Sequence, residues 1–281
     1  MAHNTLAMAT ARSAPVITFL SDYGLRDDFV GICHAVIATN CPEARVIDLT
    51  HGIARHDVRA GAIVLGEALP YLPVGVHLAV VDPDVGAQRR AVALALADER
   101  RLVGPDNGLL TLAAQAGGGV VEAVDIAGSS FRLQPVSATF HGRDIFAPVA
   151  AALAGGAALA EVGAPLDAGA LVTLRLPEPR WHAGALVAHV RHVDRFGNLQ
   201  LNVGHEDLAD SGLKLGHAAT LELPRGATVP VTYVRTFADA ERDGLLIYED
   251  AQRRLAIAVS HGDASDRLGL GVDDELRIRP R

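Results

Sequence analysis

The sequence predicts an α/β domain with a largely parallel central sheet, followed by a smaller all-β domain. Two observations predict this order. In the first part of the chain, short apolar runs alternate with helix-like segments, which is typical of a sheet with helical crossovers. After Pro177-Glu178-Pro179, short β-like runs are separated by Gly, Asp and Pro, as in small barrels and sandwiches. A length of 281 residues suits two such domains.

The elements of the first part follow from the lengths of its apolar runs. The predicted strands are Val16–Leu20, Arg45–Leu49, Val76–Val81, Ala91–Leu96 and Val120–Val124, and the predicted helices are Phe29–Thr39, Val58–Ala68 and Ile145–Leu153. Polar residues follow two of the strands, in Ser21-Asp22-Tyr23-Gly24 and in Asp82-Pro83-Asp84-Val85-Gly86. Because ligands of open α/β sheets bind beyond the carboxyl ends of strands, these two turns indicate a site.

The second part carries the signals of a β-domain. Its predicted strands are Ala185–Val193, Leu199–Val203, Thr220–Leu223, Val229–Val234, Leu245–Tyr248, Arg254–Val259 and Glu275–Ile278. We therefore expect a loose tail over residues 1–15, the α/β domain over 16–177, a linker over 178–183 and the β-domain over 184–281.

Composition excludes several classes of partner. The net charge is −8 and no long basic run occurs, so a nucleic-acid partner is not expected. No run has the length of a membrane span, and the N-terminal stretch lacks the apolar core of a signal peptide. The two cysteines, Cys33 and Cys41, cannot staple a fold of this size and indicate a reducing, cytoplasmic setting.

Three segments carry candidate catalytic or binding residues. Asp82 is either a turn former or an acceptor beside the permanent cation of Arg89. His141 is either structural or part of a site at a loop-to-helix junction, where Asp144 could cap the helix. Asp194-Arg195-Phe196-Gly197-Asn198 reads either as a hairpin turn or as a cation-binding group with a two-way amide. No H-E-x-x-H motif, no paired Cys/His spacing and no phosphate-binding glycine motif occurs, so we expect no metal, although the sequence leaves a dispersed metal site open.

Taken together, these segments resemble the S-adenosyl-L-methionine (SAM) hydroxide adenosyltransferase family, relatives of the fluorinases and chlorinases. The resemblance runs from about Ile17 to Arg279. It is carried in order by Ser21-Asp22-Tyr23-Gly24, Asp48-Leu49-Thr50-His51, Arg55-His56, Val81-Asp82-Pro83, Pro105-Asp106-Asn107-Gly108, Phe140–Asp144 and Phe196-Gly197-Asn198.

The resemblance implies an N-terminal α/β domain and a C-terminal β-barrel, assembled as a homotrimer with sites between neighbouring subunits. It implies hydrolysis of SAM to adenosine and L-methionine without a cofactor. The implied triad around the attacking water is Asp82, Arg89 and His141. The implied substrate contacts are Asp22 on the ribose, Asp27 and Asp194 on the methionine ammonium, and Phe196 and Asn198 on adenine.

The sequence departs from the family at two places and leaves rival functions open. Asp84 stands where the family often has Gly, and Ala251-Gln252 replaces a Ser-containing pair that helps to hold the methionine carboxylate. One rival is a halogenase of the same fold. In halide-using relatives Tyr, Thr and Ser stand at the positions of Asp82, Val85 and Gly142. The other rival is a catalytically silent binder of SAM or adenosine, which would not need to position water.

Overall fold

A computed structural model of the protein describes residues 14–209 and 211–281. Nearly all of the tail predicted for residues 1–15 lies outside the described residues. The chain divides into two compact units, one ending at Leu174 and the other running from Arg175 to Arg281.

The N-terminal unit is built around a seven-stranded sheet with helices on both faces. Its elements are β1 (Val16–Ser21), α1 (Phe29–Asn40), β2 (Arg45–Thr50), α2 (Val58–Ala68), β3 (Val76–Val80), β4 (Ala91–Leu96), β5 (Arg101–Pro105), α3 (Thr111–Ala116), β6 (Val120–Asp125), α4 (Ala147–Ala154), α5 (Leu159–Val162) and β7 (Ala164–Leu166). A π-helical turn, Gly142–Phe146, leads into α4.

The strand order is β2-β1-β3-β5-β4-β6-β7. The first four strands are parallel, and β4, β6 and β7 extend the sheet with antiparallel pairs. Side chains of alternate strand residues enter opposite cores: Phe19 packs with α1 and α4, whereas Leu20 packs with α2 and α3. Each fully buried aliphatic or aromatic side chain contributes about 1.5–3 kcal/mol. The predicted α/β fold is confirmed.

The C-terminal unit is a closed β-barrel. Its elements are β8 (Arg180–His182), β9 (Ala185–Val193), β10 (Leu199–Gly204), β11 (Ala218–Glu222), β12 (Thr228–Tyr233), β13 (Leu245–Glu249), β14 (Arg254–Val259), α6 (Ala264–Leu268) and β15 (Glu275–Pro280). The pairing β10-β14-β13-β12-β11-β15-β9 returns to β10, which closes a seven-stranded ring. The short strand β8 pairs with β9 outside that ring and lies within the residues assigned to the linker.

Apolar side chains fill the barrel, among them Val190, Leu201, Leu221 and Ile257, none of which is exposed. Closure leaves the ring without a free edge, which prevents edge-to-edge association with another sheet. The sequence had left barrel and sandwich open, and the resemblance correctly implied the barrel. No described helix has the length and apolar character needed to cross a membrane.

Candidate active site

A pocket of about 740 Å³ opens at the carboxyl ends of the parallel strands of the N-terminal unit. The turns after β1, β2 and β3 supply three of its walls, and the segment before the π-helical turn supplies the fourth. Parallel strands bring their carboxyl ends to one sheet edge, so residues far apart in the chain meet there. The pocket lining includes Asp22, Asp27, Asp82 and His141, which are four of the predicted site residues.

Asp82 and Arg89 form a bidentate ion pair on the pocket wall supplied by the turn after β3. Arg89 Nε donates to Asp82 Oδ1 at 2.8 Å, and Arg89 Nη2 donates to Asp82 Oδ2. The two side chains are only 8% and 5% exposed, so little water screens the pair. Asp82 also begins a turn, as its interpretation as a turn former predicted, because its backbone carbonyl accepts a hydrogen bond from Val85 N. The turn and the ion pair therefore coexist.

His141 completes a connected triad. Its Nδ1 lies 2.9 Å from Arg89 Nη2. Because a guanidinium only donates, Nδ1 must accept, and the neutral ring carries its proton on Nε2. Burial, and then repulsion from Arg89, lowers the pKa of His141 below its usual value of 6.5. At neutral pH, His141 is thus a neutral imidazole that can donate a hydrogen bond from Nε2.

Gly142 allows a tyrosine to approach the triad closely. A Cβ at this position would lie 2.1 Å from Tyr23 Oη, so no larger residue fits without moving the phenol. Tyr23 in turn packs edge-on against Phe140 and tilted against Phe29. Burial and neighbouring carboxylates raise the pKa of Tyr23 well above 10, and it stays a neutral hydroxyl. The aromatic group holds the pocket wall that carries His141.

Asp22 and Asp27 bring further negative charge to the pocket. Asp22 Oδ2 accepts from His56 N at 2.9 Å, which connects the turns after β1 and β2. Asp27 is exposed at the mouth. Arg26 and Arg55 also line the pocket, so the site offers groups of both signs to a charged ligand.

The other predicted binding residues lie in the C-terminal unit, in the turn between β9 and β10. Asp194 Oδ1 accepts from Phe196 N at 2.8 Å and Asn198 N at 3.0 Å, and its Oδ2 accepts from Asn198 Nδ2 at 2.8 Å. Asp194 therefore organises the hairpin turn. Because each carboxylate oxygen has two lone pairs, this role leaves acceptor capacity for a ligand.

Phe196 projects from this turn and is 66% exposed, with the Arg195 guanidinium 5.4 Å from its ring centre. Gly197 has φ +77°, and a Cβ there would meet the carboxyl group of Asp263. The close approach of Asp263 to Gly197 thus fixes the turn, while the Phe196 ring is exposed. An exposed ring on a rigid turn can stack on a planar ligand.

The remaining motif residues have structural contacts. Asp144 does not cap α4, as one interpretation suggested. Instead its carboxylate forms a bidentate ion pair with Arg143 and accepts a hydrogen bond from Ser137 N. The second contact anchors the loop before His141. Asp84 is exposed and does not line the pocket. Asp250 holds the Ala251-Gln252 turn by accepting from Gln252 N at 2.9 Å.

The aromatic lining of the pocket was not predicted. Sequence reasoning singled out charged groups, whereas Phe29 and Thr139 also line the pocket and Phe140 packs behind it. The spacing of Tyr23 and Phe29, on either side of an acidic turn, was the available signal. Their contact depends on the path of the loop between β1 and α1, which residue types alone do not define.

The chain is similar to several characterised proteins along nearly its whole length. It is 49% identical to "(R)-S-adenosyl-L-methionine hydrolase" of Salinispora tropica, with 94% of this chain and 97% of the relative covered. It is 38% identical to the protein of that name from Thermus thermophilus, over 93% and 98%. A fluorinase of an Actinoplanes species is 29% identical, over 88% and 92%.

A similar solved structure is that of an uncharacterized conserved protein from Thermotoga maritima. It superposes with a TM-score of 0.88 at 34% identity, covering 94% of this chain and 99% of the other. The N-terminal domain of the SAM hydroxide adenosyltransferases matches residues 17–163, and their C-terminal domain matches residues 188–277. The chain therefore belongs to the SAM hydroxide adenosyltransferase family.

Proposed function

We propose that the protein hydrolyses SAM at the ribose C5′, giving adenosine and L-methionine. The observation that carries this proposal is the continuous Asp82–Arg89–His141 triad on a pocket wall. Relatives that match almost the whole chain are named (R)-S-adenosyl-L-methionine hydrolase, which supports this proposal. A silent binder of SAM or adenosine would not need a buried ion pair joined to a neutral histidine.

The triad supplies an oriented water. Neutral His141 donates from Nε2 to the water oxygen, while Asp82 accepts one of its protons. Because Nδ1 of His141 already accepts from Arg89, His141 can only donate a hydrogen bond to the water. Asp82 is therefore the group that accepts a hydrogen bond from the water. As the water oxygen bonds to C5′, the C5′–S bond breaks, its electron pair stays on sulfur, and the water proton passes to Asp82. Arg89 stabilises the negative charge on Asp82 before the transfer.

We propose further that this reaction uses no metal or cofactor. The leaving group is a neutral thioether released from a sulfonium, so it needs neither a proton nor a Lewis acid. Aligning the water and removing it from bulk solvent are the contributions that remain. Carboxylates suit the cationic substrate: Asp22 for the ribose hydroxyls, and Asp27 and Asp194 for the methionine ammonium.

The competing halogenase function requires an anion in place of water. Two unit charges about 4 Å apart repel by about 4 kcal/mol at an effective dielectric near 20, roughly a thousandfold in binding. Arg89 offsets part of this, but it already donates to both oxygens of Asp82 and to His141. Val85 and Gly142 supply no side-chain donor where halide-using relatives carry Thr and Ser. The same charges suit water.

One assay tests these points together. Purified protein is incubated with SAM, with and without a chelator, and in high chloride or fluoride, and the nucleosides are separated. We expect adenosine as the sole nucleoside product in every arm. A halogenated deoxyadenosine above the no-enzyme control would contradict the choice of nucleophile. Activity that stops with the chelator and returns with a divalent ion would contradict metal independence.

We also propose a homotrimer, in which the triad pocket of one subunit is completed by the Asp194–Asn198 turn of a neighbouring subunit. The exposed Phe196 ring supports this, because an adenine contact on an open surface needs a second wall. Light scattering should give a trimer mass. A fully active monomer would contradict the proposal.

Free, buried Cys33 and Cys41 support a cytoplasmic location.

A further inference from the structure

At the side of the pocket, whose lining includes His51, three potential metal ligands converge from separate elements of the N-terminal unit. His34 comes from α1, Asp48 from β2 and His51 from the turn after β2. Asp48 Oδ1 lies 2.8 Å from His34 Nε2 and 3.0 Å from His51 Nε2. All three ligand atoms lie within 4.8 Å of one another. The proposed hydrolysis uses none of these side chains.

The His51 ring is the decisive part of this cluster. His51 is only 5% exposed, and its buried Nε2 faces Asp48 Oδ1 at 3.0 Å. Its other nitrogen, Nδ1, shares a 2.8 Å hydrogen bond with Ser21 Oγ, and its ring packs edge-on against buried Phe19. An outer hydrogen bond to the far nitrogen is how proteins orient a metal-ligating histidine.

We propose that His34, Asp48 and His51 bind one divalent transition-metal ion, with Zn²⁺ preferred. Zinc–ligand bonds of roughly 2.0–2.2 Å in a tetrahedral site place neighbouring ligand atoms about 3.3 Å apart. Separations of 2.8 and 3.0 Å need to open by a few tenths of an ångström, and the third, between the two histidine nitrogens, is no more than 4.8 Å. The ion would replace the direct contact between His51 Nε2 and Asp48 Oδ1 with a bond to each.

The donor set also selects the class of ion. Two imidazoles and one carboxylate suit Zn²⁺, Co²⁺ or Ni²⁺, whereas Mg²⁺ and Ca²⁺ prefer oxygen ligands alone. The His34 and Asp48 side chains are 34% and 43% exposed, which gives the ion a route from solvent and leaves a position for water.

The ion would connect α1 to the turn after β2. The carbonyl of His51 accepts from Gly24 N at 2.8 Å, so the same turn supports the loop that carries Asp22. Binding to the folded state alone raises the stability of that state. The proposal therefore concerns stability and is independent of whether the triad hydrolyses SAM.

The test uses the full chain, without any affinity tag and stripped of metal. Zn²⁺ is titrated by calorimetry, thermal denaturation is followed with Zn²⁺ or Mg²⁺, and Co²⁺ is added to record its visible absorption. We expect saturable Zn²⁺ binding at one site per chain. Zn²⁺ should raise the melting temperature, whereas Mg²⁺ should leave it unchanged. Co²⁺ should give the intense visible absorption bands of a low-coordinate ion. No saturable Zn²⁺ binding, or an equal response to Mg²⁺, would overturn the proposal.

Three variants locate the site. Ser21→Ala should weaken Zn²⁺ binding roughly 10–100-fold through His51, and His34→Ala should weaken it further. His205→Ala is the matched control, since His205 is also an exposed histidine paired with a carboxylate, that of Glu249. Equal Zn²⁺ affinity in His34→Ala and the wild type would place the ion elsewhere. Adenosine formation by His34→Ala without metal keeps this result separate from the test of the hydrolase.

Discussion

The two units hold their candidate site residues in opposite ways. In the N-terminal unit, Asp82 and Arg89 are buried, paired and joined to a neutral His141 before any ligand arrives. In the barrel, the polar groups of Asp194 and Asn198 satisfy one another within a turn, and the Phe196 ring is left exposed.

This difference separates chemistry from recognition. A buried ion pair loses its solvation during folding, so its orientation is already fixed when the substrate binds, which is what an attacking water needs. An exposed ring on a rigid turn contributes area for stacking and little polarisation. Changes in the triad of the first unit should therefore act on turnover, and changes in the barrel turn on affinity.

The largest effect is expected from the triad. Asp82→Ala and His141→Ala should lower turnover by roughly 10²–10⁴-fold with a milder change in KM, because these groups act on the nucleophile. Initial rates of adenosine release at varied SAM concentrations measure both constants. Since removing Asp82 leaves buried Arg89 unpaired, Asp82→Asn serves as the folding control. Unchanged turnover in Asp82→Ala and His141→Ala would place the site elsewhere.

The second effect concerns acid stability of the N-terminal unit. Burial, and then repulsion from Arg100, lowers the pKa of His77 from 6.5 to about 4. As the pH falls, His77 takes up a proton in the unfolded chain before it does so in the folded protein. The free energy of unfolding is therefore highest above the unfolded pKa of His77 and decreases as the pH falls toward 4. The loss amounts to about 3 kcal/mol.

Denaturation by urea at about pH 7.5 and about pH 4.5 measures this loss. Circular dichroism follows the whole chain, whereas fluorescence of Trp181, the only tryptophan, follows the barrel. His77→Gln should flatten the pH dependence seen by circular dichroism, and His205→Gln in the barrel should not. An equal pH dependence in His77→Gln and the wild type would refute the assignment.

A smaller effect is expected where Gly142 meets Tyr23. Gly142→Ala places a methyl group against the phenol oxygen and should destabilise the protein by about 1–3 kcal/mol. Adding Tyr23→Phe removes that oxygen and should recover part of the loss, because the next ring atom is 3.1 Å from the added Cβ. Melting temperatures of the single and double variants test this. Additive losses would mean that the contact is not the cause.

The smallest effect is expected in the barrel turn. Phe196→Ala should raise KM for SAM about tenfold, at the low end of what stacking on a base contributes. Turnover at saturation and the melting temperature should hardly change, since the ring is mostly exposed. Asp194→Ala is the contrasting variant, because losing three hydrogen bonds should lower the stability of the turn as well. A fall in turnover without a rise in KM for Phe196→Ala would break the division between the units.

The amino-acid sequence by itself determined the fold class, most of the strands and the residue types of the site, but it missed the central strand β5 and the short strands β7 and β8. The apolar periodicity around Val16–Ser21 or Arg254–Val259 is local and survives in any arrangement of neighbours. Short elements such as α3 escaped prediction, because six residues, three of them Ala, show too little periodicity.

Only the tertiary structure decided which groups touch. His141 and Arg89 are 52 residues apart in sequence, and their contact requires the sheet edge and the π-helical turn together. That contact assigns the proton to Nε2 and makes the histidine a hydrogen-bond donor at that nitrogen. The cluster of His34, Asp48 and His51 has the same origin, since no ligand spacing in the chain indicates it. Hydrogen bonds and ion pairs depend on distances of a few ångströms, and packing between elements sets those distances.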